Sequence, residues 1–102
     1  MLKNMTNVNE LHIAEIPYED GIIQFRYSRF ISEDGTKWIR HGLFESYYPS
    51  GQISAKGDFD NGRESGKWKE YHENGVLAAQ GNYIDGVESD DWIYWDTKGN
   101  KE

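Results

Sequence analysis

The stretch GKWKEYHENGVLAAQGNYIDGVES, from Gly66 to Ser89, decides how this chain folds. When the preceding stretch, 42–65, is placed over it without a gap, eight positions are identical at a period of 24 residues. A truncated third copy begins at Asp90, with tryptophans and a glycine at the expected spacing. Repetition at a fixed period is typical of proteins built from stacked units. The regular spacing within 66–89 therefore indicates a building unit and not a reaction centre.

Each unit is predicted to form a β-hairpin. In its second half, small or apolar residues alternate with polar ones, which is the period of a strand with one inward face. A glycine stands at the centre of the inward stripe, Gly57 in one copy and Gly81 in the next. Because glycine inside a strand often marks the close approach of a neighbour, we expect an aromatic ring to lie against each. The turns are indicated by a polar residue before glycine, at Asn61-Gly62, Asn74-Gly75 and Asp85-Gly86.

The first half of the unit leaves two interpretations open. Trp68 and Tyr71 are three residues apart, so a regular strand would place them on opposite faces of the sheet. Either a bulge intervenes, or the tyrosine lies where the strand ends.

The aromatic residues divide into two groups. Rings at repeated positions are expected to form the core, and rings that break the repeat are candidates for exposed contacts. Among the second group, burial is favoured for Trp38, because large rings usually hide most of their area. The expected core rings are Phe59, Trp68, Tyr71, Tyr83, Trp92 and Trp95, and the others are Phe30, Trp38, Tyr48 and Tyr94.

Upstream of residue 42 the pattern loosens. Residues 21–31 are rich in β-branched and aromatic residues and predict a strand, Asp34-Gly35 indicates a turn, and 37–41 would form the returning strand. Residues 10–16 fit a strand or a short helix, and residues 1–9 are expected to be loose, as untied termini usually are. We therefore predict one all-β domain, a meandering antiparallel sheet of stacked β-hairpins. Its parts are a loose or capping segment at 1–16, a divergent hairpin at 18–41, full repeats at 42–65 and 66–89, and a truncated repeat at 90–102.

Composition limits the possible functions. The 102 residues include no cysteine, which excludes a disulfide framework and a thiol nucleophile. No apolar run has the length of a signal peptide or a membrane span, so we expect a cytoplasmic protein. The net charge of −7 would repel phosphate backbones and anionic lipids, which disfavours direct binding to nucleic acid or membrane. Between Tyr83 and Asp96 there are five acids and no Lys or Arg, so a basic protein partner is expected.

Catalytic and metal-binding patterns do not emerge from the sequence. The three histidines, His12, His41 and His72, lie far apart and are interpreted as surface or turn residues. Asp58–Gly62 superficially resembles a calcium loop, but its glycine stands one position early and Lys69 occupies the position of the essential glutamate, so a turn is predicted. With no phosphate loop or nucleophile elbow either, we predict a protein that is not an enzyme and that uses no cofactor or metal.

The repeats contain the motif G-x-W-x-x-Y, then N-G, then a small-residue strand ending in G-x-Y-x-x-G. The chain from Gly42 to Gly99 resembles the MORN-repeat variant of bacterial proteins grouped as YwqK-type antitoxins. It departs from that pattern at Asp90, where the repeat has glycine, and at Lys101, where it has an apolar residue. The resemblance implies a meander of stacked hairpins and the neutralisation of a partner protein.

The leading hypothesis is therefore a protein-binding module of antitoxin or immunity type that covers the active site or basic surface of a toxin. The alternatives are a structural scaffold, with possible homodimer formation through an edge strand, and attachment to a membrane surface, which the net charge opposes. The residues predicted to meet the partner are Asp85, Glu88, Asp90, Asp91, Tyr94 and Asp96.

Overall fold

The computed structural model describes residues 10–102 and shows one antiparallel sheet. No helix occurs within these residues, and so none that could cross a membrane. The all-β prediction is confirmed, and the segment that fitted either a strand or a helix is a strand. The strands are β1 (His12–Pro17), β2 (Ile23–Ile31), β3 (Trp38–Tyr47), β4 (Ile53–Asp60), β5 (Arg63–Tyr71), β6 (Leu77–Ile84), β7 (Val87–Glu88) and β8 (Ile93–Tyr94).

The strands follow one another across the sheet in chain order. Each pairs with the next by an antiparallel ladder from β1 to β7, which is the predicted meander of hairpins. The short strands β7 and β8 both pair with the outer edge of β6, β7 near one end and β8 near the other. The predicted looseness of residues 1–9 concerns a segment outside the described residues.

The turns between units are two-residue hairpin loops, as predicted. Asn61 and Gly62 have φ angles of 50° and 90°, and Asp85 and Gly86 have 53° and 82°. Two successive positive φ angles give the backbone a twist that matches the twist of the strands on either side. Asparagine, aspartate and glycine tolerate this region of φ best, which is why the turn residues could be recognised from sequence.

Most of the large rings of the repeats cover one face of the sheet. The smallest extent of the molecule is 17 Å, which fits a single sheet with side chains on both faces. Trp68, only 6% exposed, contacts Phe44, Phe59 and Tyr83 with ring centroids 5.5, 5.6 and 5.6 Å away. We call this surface the ring face; its rings are Tyr27, Phe44, Phe59, Trp68, Tyr83 and Trp92.

The strand glycines make room for tryptophans. A Cβ atom built at Gly57 would overlap the indole of Trp68, and one built at Gly81 would overlap the indole of Trp92. Each indole also donates its Nε1–H to a backbone carbonyl 3.0 Å away, of Asp58 for Trp68 and of Asn82 for Trp92. The expectation that a ring lies against each glycine is confirmed.

Of the two interpretations of the spacing between Trp68 and Tyr71, the second holds, since the tyrosine lies where the strand ends and the extra residue of the bulge, Ala78, belongs to β6. Tyr71 is the last residue of β5, and the register between β5 and β6 shifts between Glu70 and Tyr71. The corresponding shift one unit earlier lies between Ser46 and Tyr47. The bulge is therefore part of the repeated unit, and it re-aims the side chains at the end of each strand.

The exposure of the remaining rings corrects two expectations. Tyr48 is half-buried, and its hydroxyl donates to the carbonyl of Tyr71 at 2.6 Å, so it ties one unit to the next instead of standing free. Trp38 is 46% exposed, so the expectation of burial is wrong, because β3 begins at this residue and leaves its ring at the border of the sheet.

Tyr94 is exposed as expected, and Phe30 is half-buried with its ring against His41. Of the expected core rings, Phe59 and Trp68 are buried, and Tyr71, Tyr83, Trp92 and Trp95 are half-buried.

Candidate protein-binding surface

Acidic side chains gather around one ring near the C-terminal end of the ring face. Tyr83 lies opposite Glu88 of β7 and Gly66 of β5, and its hydroxyl contacts the Glu88 carboxylate at 3.4 Å. Burial and the negative charges of Glu88, Glu64 and Glu70, in that order, raise the pKa of the Tyr83 hydroxyl to about 12. We call Glu64, Glu70 and Glu88 the acidic trio.

The negative charge of the acidic trio is not neutralised within the part of the chain that the structure describes. None of the ion pairs among residues 10–102 involves these three carboxylates. Partial burial, and then the charge of Glu88, raises the pKa of the Glu70 carboxyl. The like charges of Glu70 and Glu88 thus oppose each other, and a cationic partner would relieve that repulsion.

The sequence-predicted residues lie on the elements that follow β6, but they do not form one cluster with a single orientation. Glu88 pairs with Tyr83, and Tyr94 of β8 packs on Trp92 with ring centroids 6.4 Å apart, so both lie by the ring face. The other four lie in turns. Asp85 is in the turn between β6 and β7, Asp90 and Asp91 follow β7, and Asp96 is in the last turn.

Two of the predicted contact residues already have structural hydrogen bonds. The carboxylate of Asp91 accepts hydrogen bonds from the Ser89 hydroxyl and the Asn82 side chain, which lower the pKa of Asp91. Asp96 accepts the backbone N–H groups of Asn100 and Lys98, both at 2.9 Å, and the pKa of Asp96 is lowered mainly by the first of these. Asp85, Glu88 and Asp90 are exposed and are the acids of the predicted set best placed to meet a partner.

Sequence reasoning missed two members of the acidic trio, Glu64 and Glu70. Their proximity to Glu88 depends on which residues of β5 and β7 flank the same tyrosine of β6, and this cannot be read along the chain. The sequence nevertheless contains one signal that could have pointed to Glu64, because Glu64 and Glu88 are identical at the repeat period.

A concave feature lies over β2 and β3 on the ring face, and sequence reasoning missed it. Arg29 of β2 and Arg40 of β3 lie directly opposite each other there, and Trp38 pairs with Ile31. The hollow has a volume of about 440 Å³. We call it the cationic hollow; its lining includes Tyr27, Arg29, Lys37, Trp38 and Arg40.

The opposite face of the sheet carries charges of alternating sign. Arg26 lies between Glu15 and Glu45, with nitrogen–oxygen distances of 3.2 and 3.5 Å to their carboxylates. Glu45 in turn lies opposite Lys56 across the β3–β4 ladder. Cross-strand pairs of opposite charge stabilise a sheet modestly and leave little net charge for a partner. The ring face, by contrast, groups like charges, with two arginines paired on β2 and β3 and the acidic trio on β5 and β7.

A metal centre is not apparent in the structure. Within residues 10–102, no three histidine or carboxylate side chains come together in a way that could hold a metal ion. His72 instead shares a hydrogen bond with the Trp95 carbonyl at 2.8 Å, and His41 accepts the backbone N–H of Asn61 at 3.0 Å. Both histidines thus connect strands and turns of neighbouring units.

Comparison with known proteins identifies the repeats. Residues 40–61 and 64–85 each match the family model described as the MORN repeat variant, and the two matches begin 24 residues apart. Repeats of this kind are in general non-enzymatic modules that bind proteins or membranes. No curated protein and no solved structure matches the chain.

Proposed function

We propose that this protein binds a partner protein through the acidic C-terminal part of its ring face, and that the partner is a toxin whose basic surface or active site it covers in the cytoplasm. The acidic trio carries the proposal. Its three carboxylates raise the pKa of a half-buried tyrosine, Glu88 contacts the tyrosine hydroxyl at 3.4 Å, and none of the three forms an ion pair within residues 10–102. Negative charge that the protein leaves unpaired beside aromatic rings suits a basic protein surface, since charge complementarity speeds encounter and selects the partner.

The neighbouring turns extend this acidic surface. Asp85, Glu88 and Asp90 are exposed, and Tyr94 beside them is 46% exposed while it packs on Trp92. Aromatic residues in such positions supply much of the energy in protein interfaces, and the acids around them supply orientation. The match to MORN repeats supports protein binding in general, and the antitoxin role is the specific form that we propose.

The test is co-expression with the product of the adjacent gene, followed by purification of the complex and measurement of growth. We expect the unaltered protein to co-purify with that product and to restore growth. The triple substitution Asp85→Lys, Glu88→Lys and Asp90→Lys should weaken the complex by about tenfold or more, because each reversal places like charges against a basic surface. The proposal is contradicted if no complex forms and growth is not restored.

A matched control separates the local charge from the net charge. The triple substitution Glu19→Lys, Glu33→Lys and Glu73→Lys changes the net charge equally, and all three residues are exposed and lie in other turns. We expect it to leave the complex nearly unchanged. Equal loss of binding in both triple variants would show that net charge alone matters and that the acidic surface is not the binding site.

A second candidate function is self-association through β1. Within residues 10–102 nothing pairs with the outer edge of this strand, and its Ile13 side chain is 53% exposed. An open strand edge with exposed apolar side chains is a template for pairing with another chain. Sedimentation at increasing concentration should then show a dimer that Ile13→Lys abolishes, and a monomer at every concentration would exclude this candidate.

A further inference from the structure

The arginines of the cationic hollow are held against aromatic rings. The guanidinium carbon of Arg29 lies 4.1 Å from the ring centroid of Trp38, and that of Arg40 lies 4.9 Å from the ring centroid of Tyr27. A guanidinium stacked on a ring keeps its N–H groups at its edge free to donate. The two stacked arginines therefore present preorganised donors of the kind that bind a carboxylate with two parallel hydrogen bonds.

The positive charges of the cationic hollow have no ion-pair partners among the described residues, unlike Arg26 on the opposite face. Among residues 10–102, Arg29, Lys37 and Arg40 take part in no ion pair, whereas Arg26 contacts two carboxylates. The Nε atom of Arg29 is buried and has no hydrogen-bond acceptor among the described residues. A buried donor without an acceptor costs free energy, so the fold tolerates a local cost at Arg29.

The pairing of β2 with β3 also places two positive charges next to each other. Arg29 and Arg40 are directly opposite each other, and like charges in that position destabilise a sheet. Lys56 and Lys69 on the opposite face are also paired, but Lys56 has Glu45 on its other side. The neighbour of Arg29 on its other side is His12, and no carboxylate lines the hollow. A local cost of this kind without internal compensation is characteristic of functional sites.

We propose that the cationic hollow binds the carboxylates of an acidic segment of a protein partner. Its residue types favour a protein segment, since tryptophan, tyrosine and arginine dominate the energetically important positions of protein interfaces. Trp38, 46% exposed, offers an apolar surface beside the two arginines. A net charge of −7 opposes extended polyanions such as nucleic acid, whereas a short acidic segment can reach a local positive site. The hollow adjoins the acidic trio, since Arg40 and Glu64 lie on either side of Phe59, but it uses different residues and does not depend on the proposed function.

Calorimetric titration of the full chain with a short capped peptide of glutamates and one leucine tests the proposal. We expect binding that weakens as salt is added and that changes the tryptophan fluorescence, with no binding of the counterpart in which glutamine replaces glutamate. Arg40→Gln should weaken binding about tenfold, because it removes a charge-assisted pair. Arg63→Gln removes the same charge at an exposed site elsewhere and should have little effect.

Lys37→Gln provides a second variant in case Arg40→Gln alters the fold, because Lys37 is exposed and lies just before β3. It should weaken binding severalfold, while Asp85→Lys, Glu88→Lys and Asp90→Lys together should leave peptide binding intact. The proposal is overturned if the glutamate peptide does not bind at about 1 mM, if its glutamine counterpart binds equally, or if Arg63→Gln weakens binding as much as Arg40→Gln. Equal binding of inorganic phosphate would assign the hollow to free oxyanions instead of a protein segment.

Discussion

Replacing Gly57 by alanine tests whether close contact between a strand backbone and an indole holds each unit together. A Cβ atom at this position would overlap the ring of Trp68. That ring is only 6% exposed and donates its Nε1–H to the Asp58 carbonyl at 3.0 Å, so it has little freedom to move aside. The φ angle of Gly57 lies outside the left-handed region, so the overlap and not the backbone conformation opposes the substitution.

The size of the effect follows from three contributions. Forcing an extra carbon into a packed site costs about 1–3 kcal/mol, and displacing the indole weakens a hydrogen bond that contributes about 1 kcal/mol. Alanine offsets about 0.5–1 kcal/mol of this, because glycine inside a strand is entropically unfavourable. We therefore expect Gly57→Ala to lower the free energy of unfolding by about 2 kcal/mol, out of a total of about 5–15 kcal/mol for a domain of this size.

Urea unfolding followed by circular dichroism measures this change. Gly66→Ala provides the opposite case, a cost from backbone strain without an overlap, because Gly66 has a φ of +71° and no described residue lies near its missing side chain. A double-mutant cycle isolates the overlap, since Gly57→Ala should cost nothing in a Trp68→Ala background. The reasoning is refuted if Gly57→Ala costs less than about 0.5 kcal/mol, or if its cost is the same with and without the indole.

Three further substitutions test individual interactions. Tyr48→Phe should lower the free energy of unfolding by about 1 kcal/mol in urea unfolding, because it removes the hydrogen bond to the Tyr71 carbonyl. Hydrogen bonds from Ser32 and Thr36 lower the pKa of Asp34 to about 2, so its contribution to stability is present above its ordinary pKa and lost as the pH falls through about 2. Acid unfolding should therefore show the advantage of wild type over Asp34→Ala shrinking from pH about 4 downwards. The pKa of Glu70 is raised, so Glu70→Gln should stabilise the protein at pH about 7 and lose this advantage below the ordinary pKa of glutamate.

These tests also separate two kinds of residue in the repeat. Trp68 and Gly57 recur one period later as Trp92 and Gly81 and make the same contact there, so they belong to the scaffold. The residues proposed to bind partners are of both kinds, since Glu64 and Glu88 are identical at the repeat period whereas Asp90 stands in place of Gly66. A repeated sheet can therefore keep its packing while the charges on its surface diverge.

Local pattern was sufficient to establish the all-β fold, the hairpins and the turns. The side-chain period of a strand, the φ preferences of Asn61-Gly62 and Asp85-Gly86, and the space that an indole needs are properties of neighbouring residues or of one repeat against the next. Each of these could be recognised before any contact between distant parts of the chain was known. The exposure of Trp38 could not, because it depends on where β3 begins.

The grouping of charges required the tertiary structure. Arg29 lies opposite Arg40 only because the register between β2 and β3 shifts between Tyr27 and Arg29. Glu64, Glu70 and Glu88 likewise act together on the pKa of Tyr83 only because two strands, β5 and β7, flank β6. A shift in register changes which side chains stand opposite each other, so the acidic and cationic parts of the ring face follow from strand pairing and bulges. The sequence could show how much charge the chain carries, and the pairing of strands decided where that charge is left without a partner.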